Sequence, residues 1–528
     1  MEIAADRDTF LPEVNPWLIA VTVMLATFME VLDTSVANVA LPHIAGSLSA
    51  GVDESTWVLT SYLVSNAIVL PLTGWFSTLF GRKRFYIGCV ILFTVSSFAC
   101  GLAPSLPLLV IFRVIQGAGG GGLQPISQAI LVDSFPREKQ GMAMAVYGMG
   151  VVVAPTIGPT LGGWITDSFS WRWIFFLNVP IGVLSVIMTT LLIFDPPHII
   201  RKTLKQGLKI DFIGLGLLTV GLGFLQIVLD KGERDDWFGS HFILFATIVG
   251  VGALIGTVWW ELTTDQPVID LRLFKDRNFV ISTLMMYVLG VVLYGTTVLL
   301  PILLQTLMGY TAMQSGLVLL PGGAILILIL PAVGWLLGRV EPRWLVVFGM
   351  VMAAVGLFQL SHFTLDVAMR TPVYDWMVSR AGVAFLFVPI NVMAFYFVPK
   401  EKTNNATGLI NLARNIGGSM GISFVTTMLD RRAQFHQDRL ISNLHPGNHD
   451  YLAALHNLAH LLTSRGVDAA HAMIQARALL YAQLQRQAMM QSFVDNFWLM
   501  AMICLAVIPL MFLMKKIKPQ KSSGMAAH

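Results

Sequence analysis

The chain has 528 residues, of which 55% are hydrophobic and only 12% charged, with a formal net charge of +4. A soluble globular domain carries about a quarter charged residues, so this composition excludes one and instead fits many apolar segments near the ~20 residues that cross a bilayer as a helix. The three cysteines, Cys89, Cys100 and Cys504, stand far apart in apolar surroundings, a pattern that fits neither a disulfide framework nor a metal site.

A short polar stretch, Met1 to Pro16, precedes the first apolar run, which is read as its own uncleaved signal. In chain order, membrane spans are predicted at 17–40, 57–77, 85–103, 106–132, 141–165, 173–194, 210–229, 241–261, 278–304, 315–337, 343–362, 374–398, 404–428 and 495–514. Each must be a helix, because hydrocarbon offers the backbone no water to bond. The expected fold is an all-α membrane protein of fourteen transmembrane helices, with both termini on one side.

Charge decides which side. The connections on one side carry Arg82, Lys83 and Arg84, then Arg137 and Lys139, Arg201, Lys202, Lys205 and Lys209, Arg272, Lys275 and Arg277, Arg339 and Arg343, and Lys400 and Lys402. The termini add Arg7, Lys515, Lys516, Lys518 and Lys521, whereas the short connections opposite hold only Arg172, Lys231, Arg234 and Arg370. The positive-inside rule therefore places both termini in the cytoplasm. It also accounts for the net positive charge without a nucleic-acid partner.

One outer connection, 430–494, is long and polar. Leu452, Leu455, Leu458 and Leu462, and less regularly Met473, Leu480, Leu484 and Met489, mark an amphipathic extramembrane helix pair. Its apolar stripe needs a partner surface, either its own hairpin or another protein. Its six histidines (His436, His445, His449, His456, His460, His471) are irregularly spaced and read as solvated surface residues rather than metal ligands.

Landmarks recur at offsets of 260 to 267 residues. GWFSTLFGRKR at Gly74 returns as GWLLGRVEPR at Gly334, PREK at Pro136 returns as PKEK at Pro399, and Arg113 returns as Arg380. A nearly constant offset indicates a duplicated unit. The expected layout is a six-helix half (1–195), an inserted two-helix segment with cytoplasmic flanks (196–277) and a second six-helix half (278–528) that contains the 430–494 loop. Such halves form secondary transporters, with the substrate path at their interface.

Four motifs then stand out: LDTSVANVALP (Leu32 to Pro42), the basic turn from Gly74 through Gly81 to Arg82, Lys83 and Arg84, FRVIQGAGGGG (Phe112 to Gly122), and GMGVVVAPTIGPTLGGW (Gly148 to Trp164). Together they resemble the fourteen-span drug:proton antiporters of the major facilitator superfamily, the EmrB/QacA type, over nearly the whole chain. The long outer loop is similar to that of the EmrB branch. The resemblance implies export of small amphipathic substrates against protons, driven by the proton gradient with no cofactor. It also implies work with a periplasmic adaptor (a membrane fusion protein) and a TolC-like outer-membrane channel. The span-5 pattern, including Gly150, Pro155, Gly158, Pro159, Gly162 and Gly163, marks exporters in that family and shapes a gating helix. The basic turn departs from the superfamily pattern, with Thr78 where an Asp is usual and Leu79 where an Arg is usual.

The ionisable residues inside spans are the candidate proton-coupling groups, since such residues are costly in a bilayer and mark function. Asp33 matches the family's span-1 acid. Glu30, one turn earlier, is a candidate from physics alone. The resemblance gives Arg113 a role in proton transfer, while a buried Arg in any case needs a carboxylate or carbonyls to satisfy it, so a structural ion pair remains an alternative. Spacing by three and four places Gln116, Gln124 and Gln128 on the Arg113 face as candidate cavity residues. Arg380, Asn411 and Arg414 are their counterparts in the second half, serving either a substrate or helix-to-helix hydrogen bonds. Gly117 to Gly122 spells GxGxxG without the strand a dinucleotide site needs, no GxxxxGK[ST] occurs, and no paired catalytic constellation points to an enzyme. A dedicated exporter of one metabolite, such as a fatty acid or siderophore, is the alternative on the same scaffold.

Overall fold

The computed structural model describes residues 14–195, 211–265, 267–365 and 370–516. The basic stretch Arg201 to Lys209 and the basic residues Arg7, Lys518 and Lys521 lie outside them.

The apolar runs form long helices: α1 (Pro16–Ser47), α2 (Trp57–Phe80), α3 (Arg82–Leu102), α4 (Leu106–Ser134), α5 (Arg137–Ser168), α6 (Asn178–Leu192), α7 (Phe212–Lys231), α8 (His241–Thr263), α9 (Arg277–Thr306), α10 (Ala312–Leu336), α11 (Pro342–Leu360), α12 (Arg370–Phe395), α13 (Thr403–Ile441), α14 (His449–Ser464) and α15 (Ala469–Ala506). No strand occurs among the described residues. Helices α1 to α6 pack on one another, as do α9 to α13 with α15. The two groups meet where α5 lies against α10 and α12, and where α2 and α4 lie against α13. Helix α7, paired with α8, packs on both α2 and α13. Its Gln226 donates to Ser419 Oγ at 2.8 Å, and Lys231 Nζ donates to Thr56 Oγ1 at 3.1 Å.

Thirteen of the described helices are long and apolar enough to cross a membrane, against the fourteen expected. The remaining expected span, 404–428, falls on α13. That helix carries Asn404, Asn405, Asn411, Arg414 and Asn415 in its first turns, which lowers its hydropathy. Asn411 and Arg414 are each 1% exposed, so this polarity faces protein rather than lipid.

The long connection 430–494 holds the expected pair of helices, α14 and the N-terminal part of α15, but not as a separate unit. Helix α13 runs unbroken for 39 residues, about 58 Å at 1.5 Å per residue, and α15 for 38. Both exceed a ~30 Å hydrocarbon core, so the extramembrane part is built from continuations of two long helices. Asp495 of α15 ties them together, accepting from Arg432 Nε at 2.6 Å and lying 2.7 Å from His436 Nε2. Helix α14 folds back on α15. Its Leu455 and Ala459 are buried with Ala476, beside Leu458, Leu462, Met473 and Leu480. The apolar stripe is thus covered by its own hairpin.

Candidate functional site

The polar residues of α4 recur on one face, and the structure packs that face against α1, α2 and α13. Arg113, Gln116, Gln124 and Gln128 are all buried. From Arg113 to Gln128 they form a polar column about 22 Å long.

At one end Arg113 Nη1 donates to Asp33 Oδ2 at 2.5 Å, with both side chains essentially inaccessible. Arg113 also donates through Nε to Val58 O at 2.9 Å and through Nη1 to Gln116 Oε1 at 2.8 Å. The second oxygen of Asp33 accepts from Gln116 Nε2 at 3.0 Å and from Asn178 Nδ2 at 2.7 Å. This acid is held by α4 and α6 together, within the first helical group. Asp33 and Arg113, both named as candidate proton-coupling groups, therefore do meet, as a buried ion pair.

Glu30 is held differently. Its Oε1 accepts from Tyr62 Oη at 3.1 Å and Asn66 Nδ2 at 3.2 Å, and its Oε2 accepts from the Gln124 amide. The carbonyl oxygen of Gln124 in turn accepts from Arg414 Nη2 of α13. Gln124 therefore joins an acid of the first group to a cation of the second. Tyr62 links the two acids, since its ring lies 4.2 Å from the Arg113 guanidinium while its hydroxyl bonds Glu30. Further along the column, Asn411 Nδ2 donates to Gln128 Oε1 at 2.7 Å, and Asn415 Nδ2 donates to Asn66 Oδ1 at 3.0 Å.

The structure sorts the candidate cavity residues. Gln124, Gln128, Asn411 and Arg414 lie together on the seam between the groups. Gln116 lies within the first group against Asp33. Arg380 stands apart on α12, donating to Thr296 and Thr297 of α9 at 2.9 and 3.0 Å. The sequence reading did not single out Tyr62, Asn66 or Asn178. Their signal was available, as polar residues set in otherwise apolar runs.

The span-5 pattern sits at the other seam. Helix α5, with Pro155 and Pro159 inside it, is held between α1 and α10. The Gly158 position touches Ser35 so closely that any Cβ would overlap its side chain. Ser35 Oγ donates to Pro155 O at 3.2 Å. Gly150 and Gly162 face Met24 and Val36 of α1, whereas Gly163 has open space beside it.

The basic turn is anchored by a residue outside the motif. Gly81 adopts φ +84°, which turns the chain from α2 into α3. Arg82 is buried and pairs with Asp133 of α4 at 2.5 Å, and it also donates to Ala129 O at 3.2 Å. Lys83 Nζ donates to Thr190 O of α6 at 2.7 Å. Arg84 is exposed. A charge lock thus exists here even though Thr78 replaces the usual acid, because Asp133 supplies it. At the same end, a Cβ on Gly74 would overlap the side chain of Asn405 of α13. Gly74→Val is therefore expected to force α2 and α13 apart. Cross-linking of cysteine pairs placed across that seam should fall at least severalfold, and unchanged cross-linking would refute the close contact.

A polytopic helical bundle with a charged, fully buried polar column between two helical groups defines a membrane transporter. The Major Facilitator Superfamily profile matches residues 23–422, and this chain belongs to that superfamily, within its EmrB branch. The chain is 38% identical over 513 residues to the multidrug export protein EmrB of Escherichia coli (strain K12), covering 97% of this chain and 98% of that one. It is 35% identical to the fatty acid resistance protein FarB of Neisseria gonorrhoeae, with 96% of each covered. Among solved structures, the proton:xylose symporter XylE shares the fold with a TM-score of 0.61 at 15% identity, covering 96% of this chain and 97% of that one.

Proposed function

We propose that this protein is a proton-coupled antiporter that exports drugs and other amphipathic toxic compounds from the cytoplasm or inner leaflet. The observation that carries the reading is the Glu30–Gln124–Arg414 link, in which one amide joins a buried acid of the first helical group to a buried cation of the second. Ionised Glu30 accepts the Gln124 amide, which leaves the Gln124 carbonyl for Arg414. Protonated Glu30 becomes a donor, competes for that carbonyl and releases Arg414. Asp33 and Arg113 sit at the outer end of the column, where a proton enters. Likeness over nearly full length to a multidrug export protein supports the cargo class. A proton entering through 100 mV supplies about 2.3 kcal/mol.

The reading includes fourteen spans, with α13 as the thirteenth, both termini cytoplasmic in the inner membrane, and two six-helix repeats, 1–195 and 278–528, flanking the inserted 196–277. The long continuations of α13 and α15, with α14, form the surface that meets a periplasmic adaptor and, through it, a TolC-like outer-membrane channel. In inverted vesicles, drug uptake is expected to collapse when a protonophore is added, and uncoupler-resistant uptake would sink the proton mechanism. Removing α14 with its turns is expected to abolish adaptor pull-down, and retention of both pull-down and export would end that part of the proposal. The second reading is a dedicated exporter of a fatty acid, favoured by the likeness to FarB. A susceptibility panel of chemically unrelated drugs separates the two.

A further inference from the structure

The buried charged residues of α1, α4, α12 and α13 are Glu30, Asp33, Arg113, Arg380 and Arg414. Asp33 balances Arg113, and Glu30 reaches Arg414 through Gln124. Arg380 is left over. It is 0% exposed, and its Nη2 meets only the hydroxyls of Thr296 and Thr297. Its Nε and Nη1 have no partner among the described residues, and no acidic side chain there pairs with it. Its guanidinium lies 3.7 Å from the ring centre of Trp376, whose Nε1 is also without a partner. A buried guanidinium without a counter-ion is strongly unfavourable.

The first half shows what is missing. Arg113 of α4 reaches across to α1 and finds Asp33. Arg380 stands 267 residues later on α12 and reaches across to α9, where Thr296 stands 263 residues after Asp33. The same arginine is present twice, with an acid opposite the first and only hydroxyls opposite the second.

We propose that Arg380, Trp376 Nε1 and the hydroxyls of Thr296 and Thr297 form an anion site that takes a single negatively charged group from outside the chain. The group is the carboxylate of an amphipathic solute or a free halide. Thr297 is only partly buried, so the α9 side offers the approach. The Trp376 ring beside the cation suits a solute with an apolar body. The solute arm of this assignment rests on the export reading above, in which that solute is cargo.

The test uses the full-length protein in nanodiscs, with laurate and methyl laurate as probes in chloride or gluconate buffer. The wild type is expected to bind the acid about tenfold to a hundredfold more tightly than the ester, the worth of a hydrogen bond to a charged group. Arg380→Gln should erase that preference, and Arg380→Lys should keep part of it. Thr296→Asp supplies the missing acid within the chain, so it should also erase the preference while keeping the melting temperature at or above that of the wild type. If Arg380→Gln fails to fold, Thr296→Asp still decides. Chloride that raises the wild-type melting temperature and displaces laurate identifies a halide as the occupant. Laurate preference indifferent to chloride identifies the solute carboxylate. Equal binding of acid and ester without any chloride effect, or a preference that survives both Arg380→Gln and Thr296→Asp, overturns the site. A protein that prefers laurate but moves no drug in vesicles keeps the site and loses the export reading, and a drug exporter with neither anion effect does the reverse.

Discussion

Arg113→Met is expected to destabilise the purified protein by about 3–5 kcal/mol, the typical cost of removing one partner from a buried ion pair. The size follows from what is stranded. Asp33 has no solvent to turn to, and with the guanidinium gone it keeps only the amides of Gln116 and Asn178. Arg113 also holds Val58 O of α2, so three helices lose a common tie. Thermal unfolding in detergent measures the effect. The double variant Asp33→Asn with Arg113→Met removes both charges and should recover much of the loss. If the double variant were as unstable as the sum of its singles, the pair would not be the source of the effect.

Glu30→Gln is expected to leave the protein folded but to uncouple it. A glutamine keeps an oxygen for Tyr62 and Asn66 but sets a donor NH2 where the carboxylate accepts from Gln124, so it mimics the protonated acid permanently, competing for the Gln124 carbonyl and carrying no exchangeable proton. In the wild type, substrate binding in weakly buffered solution should be accompanied by proton release. Substrate affinity should change between acid and alkaline pH by about 5–150-fold, the usual range for coupled sites. In the variant both signals should vanish, and vesicle uptake should lose its response to a protonophore. Undiminished proton release from Glu30→Gln would remove this residue from the mechanism and move attention to Asp33.

Much of this architecture was legible because it is local. Apolar length and loop charge are properties of consecutive residues, and the three-and-four spacing of Arg113, Gln116, Gln124 and Gln128 fixes a shared helix face whatever that face touches. The same rule marked Glu30 and Asp33 as a pair on α1. Less legible was α13, whose buried polar residues reduce its hydropathy because they answer Gln128, Gln124 and Asn66 on other helices. Its extension through Ile441 was hidden for a similar reason, since a polar stretch continues as a helix there only with α15 beside it.

The sequence by itself determined a membrane bundle, the places of its helices and the list of charges that a bilayer makes expensive. Tertiary structure alone decided who answers each charge. It gave Asp33 to Arg113 and Asn178, set Gln124 between Glu30 and Arg414, supplied Asp133 to Arg82 in place of the absent motif acid, closed the α14 stripe on its own hairpin, and left Arg380 facing two threonines. Helical periodicity is set by neighbours three and four residues away, whereas these pairings join residues tens to hundreds of positions apart, whose meeting depends on how whole helices pack.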